Sequence, residues 1–251
     1  MELISPDKFK SKSAYSMETD LITTDAKMPD GYPKVVKCNP YTVGHMKKLV
    51  YAKDNTSYLG IMAGVIQECV DTDVLELTIP DLSKLILYLR VNSMSGEQGR
   101  YSSYQMPCKT CGRSPIVQVD FTEFDINLIP SSFLVERKIS EEITAQLPRV
   151  KTIIDQNEFV RSNKLNDLDE QVRLIKEGDT FEEKKLLHDS ASPEVIVKLS
   201  KFGDEIKNFG IINMFNFVCP EIVDKEAGTR CGGKAIIRIP FRHDFFLPDL
   251  V

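Results

Sequence analysis

Two pairs of cysteines constrain this chain more than any other feature of its sequence. Two residues separate Cys108 from Cys111 in the first pair, and eleven residues separate Cys219 from Cys231 in the second. Zinc takes four soft or borderline ligands in a tetrahedron, and a Cys-x-x-Cys turn supplies two thiolates from one tight turn. The pattern therefore predicts one zinc site with these four cysteines as its ligands.

The residues around the cysteines favour metal-binding turns. Gly112 and Gly232 each follow the second cysteine of a pair, where such a turn needs a left-handed backbone. The wide spacing of the second pair departs from the usual pattern, and we interpret residues 220–230 as an expanded turn. Four thiolates fill the coordination sphere, so the metal should be structural and leave no position for a water nucleophile. Four buried thiols without a metal are the alternative that the sequence leaves open.

Each cysteine pair lies at the tip of a predicted β-hairpin. Residues 101–106 lead into the first pair and 115–121 lead out, while 213–218 and 234–239 flank the second. Two such hairpins are typical of a zinc ribbon. Residues 122–212 between them are predicted to be mostly helical. Their last helix starts at Ser192-Pro193 and carries an apolar stripe, which is explained most simply by packing within the domain or, alternatively, by a partner.

The part before the first cysteine pair is predicted to be helical. A short strand at 34–38 precedes a helix capped by Thr42 and a second helix from Thr56. The alternating residues 74–79 predict a half-buried strand, after which Asp81 is placed to cap a helix from Leu82. Residues 1–33 show little periodicity and are expected to form a loosely ordered arm, or one that orders against a partner.

These signals predict an α+β chain with five parts. They are an N-terminal arm (1–33), a helical N-terminal part with a short strand (34–100), a split zinc-ribbon-like module (101–121 and 213–240), a helical insertion (122–212) and an apolar tail (241–251). The tail should either pack back on the domain or dock on another subunit.

Composition excludes several classes of protein. The chain has 251 residues, of which 42% are hydrophobic and 27% charged, as in soluble globular proteins. No apolar run reaches transmembrane length, and the first residues lack the pattern of a signal peptide. We therefore expect no membrane contact and folding in a cytoplasm, where thiols stay reduced. A net charge of −5 argues weakly against a dedicated nucleic-acid binder.

Catalysis has little support in the sequence. There is no phosphate-binding glycine loop and no nucleophile elbow, and His45, His188 and His243 lie in unrelated contexts. Cys38 and Cys69 are most simply core residues. We expect no enzyme, although an open zinc position would permit metal-dependent hydrolysis. A zinc-ribbon nucleic-acid-binding or transcription-related factor is the other alternative, and its basic residues near the cysteines would be Arg100, Lys109, Arg113, Arg230 and Lys234.

Several motifs outside the cysteine pairs carry a family resemblance. They are Gly31-Tyr32-Pro33, Pro40-Tyr41-Thr42-Val43, Leu77-Thr78-Ile79-Pro80-Asp81-Leu82-Ser83-Lys84-Leu85-Ile86-Leu87-Tyr88-Leu89-Arg90, Ser95-Gly96 and Phe245-Phe246-Leu247-Pro248. Together with the cysteines, their order resembles the baseplate hub assembly protein family of T-even-type contractile-tailed bacteriophages. The middle helical segment matches only in character.

The resemblance implies a late role in virion morphogenesis. The chain would help to build the central hub of the tail baseplate, transiently or as a component, through contacts with other hub and tail proteins. It would act in the host cytoplasm during assembly and could stay in the baseplate. The family has no catalytic residues to carry over, and its zinc-type cysteines correspond to Cys108, Cys111, Cys219 and Cys231.

Overall fold

The computed structural model describes residues 15–51, 58–94, 98–160, 169–224, 226–239 and 245. Within these ranges the protein is α+β, as predicted, with six α-helices and six two-stranded antiparallel sheets. The predicted helix start at Thr56 lies outside the described residues, as do Ser95-Gly96 and His243. Among the described helices, none combines the length and the hydropathy needed to cross a membrane.

The N-terminal part begins with a strand pair and continues with helices. Its elements are β1 (Met17–Asp20), β2 (Val35–Cys38), α1 (Val43–Tyr51), α2 (Tyr58–Gln67) and α3 (Ile79–Ser93). Strand β1 pairs with β2, and Leu21 and Ile22 after it are fully buried. The expectation of a loosely ordered arm is therefore wrong for residues 15–33, because strand pairing and burial hold this segment on the domain.

The predicted strand at 74–79 is also wrong. Residues Val74–Glu76 form a 3-10 turn. The side chain of Asp73 caps its start and accepts a hydrogen bond from the Leu75 amide. Val74 and Leu77 are buried and lie three residues apart, as one face of a 3-10 turn requires. The alternation in sequence did not show this, because a short apolar run fits either geometry.

Helix α3 begins at Ile79 instead of Leu82, and its cap is Thr78 instead of Asp81. Asp81 is fully buried in the first turn, where its carboxylate accepts hydrogen bonds from Thr23, Tyr32 and Thr78. Two of these donors come from residues about fifty positions away. The role of Asp81 is therefore to attach the N-terminal segment to α3.

The remaining elements alternate between short strands and helices. In chain order they are β3 (Tyr101–Gln105), β4 (Ile116–Asp120), β5 (Asp125–Asn127), β6 (Glu136–Lys138), β7 (Thr144–Gln146), α4 (Val150–Val160), α5 (Phe181–Ser190), α6 (Pro193–Ile206), β8 (Gly210–Ile212), β9 (Met214–Val218), β10 (Ile222–Asp224), β11 (Thr229–Arg230) and β12 (Lys234–Arg238).

The two predicted cysteine hairpins are present. Strand β3 pairs with β4 and β9 pairs with β12, each over five residues and each without a register shift. The structure thus confirms the hairpins and the positions of their tips. It does not by itself make the pair a zinc ribbon, and that finer assignment remains a prediction.

The segment between the hairpins is less helical than predicted. After a 3-10 turn at Phe121–Glu123, the part up to residue 149 holds the short strands β5, β6 and β7 and no α-helix. Strand β5 pairs with β8, so the beginning and the end of the segment are joined to each other. Pairing across some eighty residues leaves no local pattern, which is why the sequence did not reveal it.

The apolar stripe of α6 packs inside the protein. Leu199 and Phe202 are fully buried in a cluster with residues of β7 and of the segment that precedes α5. This confirms the simpler of the two interpretations of that helix. Phe245, the one described residue of the tail, is also buried, and its ring centroid lies 4.8 Å from that of Phe121.

The main core contains residues from several of the parts that the sequence predicted. It joins residues of α2 and α3 to residues of both hairpins, including Val119 and Phe217. The hairpins therefore share a core with the N-terminal helices. The division of the chain into five parts remains a prediction.

Candidate metal centre

The structure brings the four predicted cysteines together. Their sulfur atoms all lie within 4.8 Å of one another, and Cys108–Cys231 and Cys111–Cys219 are each 3.7 Å apart. A tetrahedron with zinc–sulfur distances of about 2.3 Å has sulfur–sulfur edges of about 3.8 Å. A disulfide would need about 2 Å, and all six cysteines are free. The spacing therefore suits a tetrahedral metal ion.

The first cysteine pair lies in a tight turn whose amides face a sulfur. The Cys108 amide donates to the Arg113 carbonyl at 2.8 Å, and Gly112, at φ 72°, donates to the Cys108 carbonyl at 2.9 Å. Hydrogen bonds from the amides of Cys111 and Thr110 lower the pKa of the Cys108 thiol to about 6. This turn thus stabilises a thiolate, the form that binds metal.

The second pair is an expanded turn, as predicted, and the structure shows how the extra residues are accommodated. Strands β10 and β11 pair with each other, and we call the described residues around them, 220–224 and 226–230, the finger. At its base the Cys231 amide donates to the Glu221 carbonyl at 2.7 Å, and the Cys219 amide donates to the Gly233 carbonyl at 2.9 Å. The finger therefore leaves the cluster and returns to it, which keeps the two cysteines adjacent.

Contacts between the two turns hold the cluster closed. Arg113 of the first turn forms an ion pair with Glu221 at 3.0 Å and also donates to the Ile222 carbonyl at 2.8 Å. Gly233 lies so close to the first turn that a Cβ there would be 2.5 Å from Thr110 Oγ1 and 3.0 Å from Cys108 Sγ. Only glycine permits this approach.

The pKa values of the cysteine thiols are also compatible with a bound cation. Burial raises the pKa of the Cys219 thiol to about 12, in contrast to the lowered pKa of Cys108. Without a cation, one thiolate opposes the ionisation of its neighbours, whereas a bound divalent ion favours deprotonation of all four. The donor set, spacing and amide support fit a closed, structural metal site.

The described histidines, His45 and His188, and the remaining cysteines lie apart from the cluster, although His45 has partners that the sequence did not reveal. His45 Nε2 is 3.1 Å from Glu68 Oε2, and its Nδ1 accepts from the Thr42 amide and lies 3.4 Å from Cys69 Sγ. Cys69 is almost fully buried, and burial raises the pKa of its thiol to about 12. The group resembles a catalytic Cys-His arrangement, but the thiol stays protonated and inaccessible. The only sign of this group in the sequence is that Glu68 and Cys69 are neighbours.

Cys38 and His188 fit a structural interpretation. Cys38 is fully buried in the main core, and burial raises the pKa of its thiol to about 11. His188 is buried near the end of α5, where Nδ1 lies 3.4 Å from Asp189 Oδ1.

Two of the five basic residues near the cysteines form ion pairs within the protein. Arg113 pairs with Glu221, as described, and Arg100 pairs with Asp120. The hydrogen bond from Arg100 is the main cause that lowers the pKa of Asp120 to about 2. Lys109, Arg230 and Lys234 are exposed.

Comparison with known proteins gives one match. A family model described as T4 bacteriophage base plate protein matches residues 20–226, which is well over half of the chain. The match includes the N-terminal helices, the first cysteine pair, the insertion and Cys219. No curated protein and no solved structure matches the chain.

Proposed function

This chain belongs to the T4 bacteriophage base plate protein family, and we propose that it works in the central hub of the baseplate, as an assembly factor or a built-in component. Membership of the family assigns it a structural role in a phage tail baseplate. The hub, the zinc ion and the partners are the parts that we propose. The observation that carries the baseplate role is the match over residues 20–226, and the hub assignment rests on the resemblance of the sequence motifs.

The hub assignment has support in how its sequence motifs meet in space. Tyr32, from the Gly-Tyr-Pro motif, donates from its hydroxyl to Asp81 at 2.6 Å and accepts from the Thr78 amide at 2.8 Å. Both partners belong to the long motif that begins at Leu77. Burial and the Asp81 carboxylate raise the pKa of Tyr32, so its hydroxyl stays a donor. Two of the motifs that resemble the hub assembly family, the Gly-Tyr-Pro motif and the long motif, thus meet through partly buried hydrogen bonds.

We further propose that Cys108, Cys111, Cys219 and Cys231 bind one structural zinc ion. When bound, zinc would fasten the two hairpins at their tips. The four thiolates would leave it no open position, so we propose no enzymatic activity. The protein would act through contacts with other hub and tail proteins, first in the host cytoplasm and then, if it is retained, in the virion tail.

The alternative of a nucleic-acid-binding zinc ribbon has less support. Two of the basic residues that it would use, Arg100 and Arg113, are neutralised by Asp120 and Glu221. The net charge of −5 also opposes binding to phosphate. A salt-sensitive mobility shift with DNA or RNA at low ionic strength would revive this alternative.

Affinity purification from infected cells tests the proposal directly. The tagged full chain should recover baseplate hub proteins, identified by mass spectrometry, and an unrelated tagged phage protein serves as control. Recovery of only nucleic acid or polymerase would refute the hub assignment. Mass spectrometry of purified virions then separates a retained component from a transient assembly factor.

A further inference from the structure

The hairpin of β9 and β12 presents an unusual outer face. Directly opposed residues of an antiparallel pair share a face, so Met214, Asn216 and Val218 lie beside Arg238, Ile236 and Lys234. We call these six residues the outer hairpin face. Ile236 is 70% exposed, Val218 54% and Met214 53%.

The other face of the same hairpin already packs on the core. Phe217 is almost fully buried, and Phe215 and Ile237 pack against the main core. In an antiparallel sheet with one buried face, the second face is normally polar. Here half of the outer residues are large and apolar. Exposed apolar patches of this kind mark interaction sites on soluble proteins.

The charges on this face restrict which kind of partner surface it can bind. Lys234 and Arg238 flank the apolar side chains, and the face has no acidic residue. Neither cation forms an ion pair with a residue that the structure describes, although Arg238 donates to the Asn213 side chain at 3.3 Å. A two-fold contact between two copies of this face would place cations against cations, which disfavours a homodimer. A partner with carboxylates around an apolar patch is complementary.

The side chains also distinguish a protein partner from a nucleic acid. Binding of single strands uses exposed aromatic rings on which bases stack. The six residues of the outer hairpin face include no aromatic ring, and Phe215 and Phe217 of β9 point to the core side. Branched and thioether side chains such as Ile236, Val218 and Met214 are suited to packing against protein.

We propose that the outer hairpin face docks on an apolar, carboxylate-rimmed surface of another baseplate protein. The inference rests on the proposed function, since it assumes that the chain acts through protein contacts. Val218 and Lys234 directly adjoin Cys219 and Gly233, so a metal ion in the cluster would fix the end of this face.

The substitution Ile236→Asp tests the apolar part, and Leu186→Asp is its matched control. Both side chains are 70% exposed, but Leu186 lies on α5. The I236D chain should recover at least tenfold less of an identified baseplate protein from infected cells, while L186D should match the original chain. Zinc content and urea midpoint should stay unchanged in both variants. Equal recovery by I236D, or equal losses in both variants, would overturn the inference.

Carbodiimide crosslinking tests the charged part, because it joins an amine to a carboxylate in direct contact. Lys234 should crosslink to an aspartate or glutamate of the captured baseplate protein, and Lys234→Glu with Arg238→Glu should reduce capture at least tenfold. If the original chain recovers no baseplate protein at all, the proposed function itself fails. If it recovers one normally and Lys234 crosslinks only to a second copy or to nothing, the docking inference alone fails.

Discussion

Replacing Cys219 with serine should release the metal ion and so remove the crosslink that closes a long loop. Cys108 and Cys231 are 123 positions apart, yet their sulfur atoms are 3.7 Å apart. A crosslink closing a loop of that length removes unfolded-state entropy equivalent to about 5 kcal/mol at 25 °C. A whole domain has a net stability of about 5–15 kcal/mol. The substitution should therefore remove a large part of the free energy of unfolding.

Metal analysis and denaturation together measure this effect. The original chain should contain one zinc ion per molecule, and Cys219→Ser should contain much less after dialysis against a chelator. The melting temperature should fall by about 10–20 °C, from a slope of about 2–4 °C per kcal/mol for a chain of this size. Chelation of the original chain should lower it by a similar amount, whereas the variant should not respond.

Cys38→Ser is the matched control, because Cys38 is also a fully buried free cysteine but lies outside the cluster. It should keep its zinc and lose only about 1–2 kcal/mol, as for an ordinary core substitution. The reasoning is refuted if both variants lose equal stability, or if the original chain purified with zinc contains none.

Three further substitutions test local contacts. Gly233→Ala should weaken zinc binding about tenfold in competition with a chelator, since overpacking costs about 1–3 kcal/mol. Gly64→Ala is the control and should leave zinc binding unchanged, because no atom lies within 4 Å of the new Cβ. Asp81→Asn should lower the free energy of unfolding in urea by about 2–4 kcal/mol, because an amide then faces hydrogen-bond donors; an unchanged midpoint would contradict this. The pKa of Asp120 is lowered to about 2 by Arg100, so the stability from this pair is present above the ordinary pKa of about 4 and is lost as pH falls towards 2. Arg100→Gln should flatten that part of the stability curve, and a curve of unchanged shape would exclude the pair as its cause.

Part of the family resemblance in this chain lies in its framework. The long motif beginning at Leu77 supplies Thr78 and Asp81, which hold Tyr32 through partly buried hydrogen bonds. These contacts fix how the N-terminal segment packs on α3.

Features set by neighbouring residues were predictable from the sequence alone. The two hairpins and the left-handed glycines Gly112 and Gly232 appear as expected. Each depends on hydrogen bonds within a few residues, so the local pattern contains the information. The four cysteines also lie close together, as predicted. Two hairpin tips that each carry a pair of thiols are typical of one shared metal site, so the sequence was sufficient to predict their proximity.

Features that depend on distant residues required the tertiary structure. Asp81 was assigned as a cap, but donors from Thr23 and Tyr32 make it a buried acceptor. The pairing of β5 with β8 and the contact of His45 with Cys69 likewise join segments with no common local pattern. The sequence by itself determined where the four clustered cysteines and the turns lie. Only the packing of remote segments decided which polar groups are buried and which apolar face stays open, because burial depends on what the rest of the chain places against each residue.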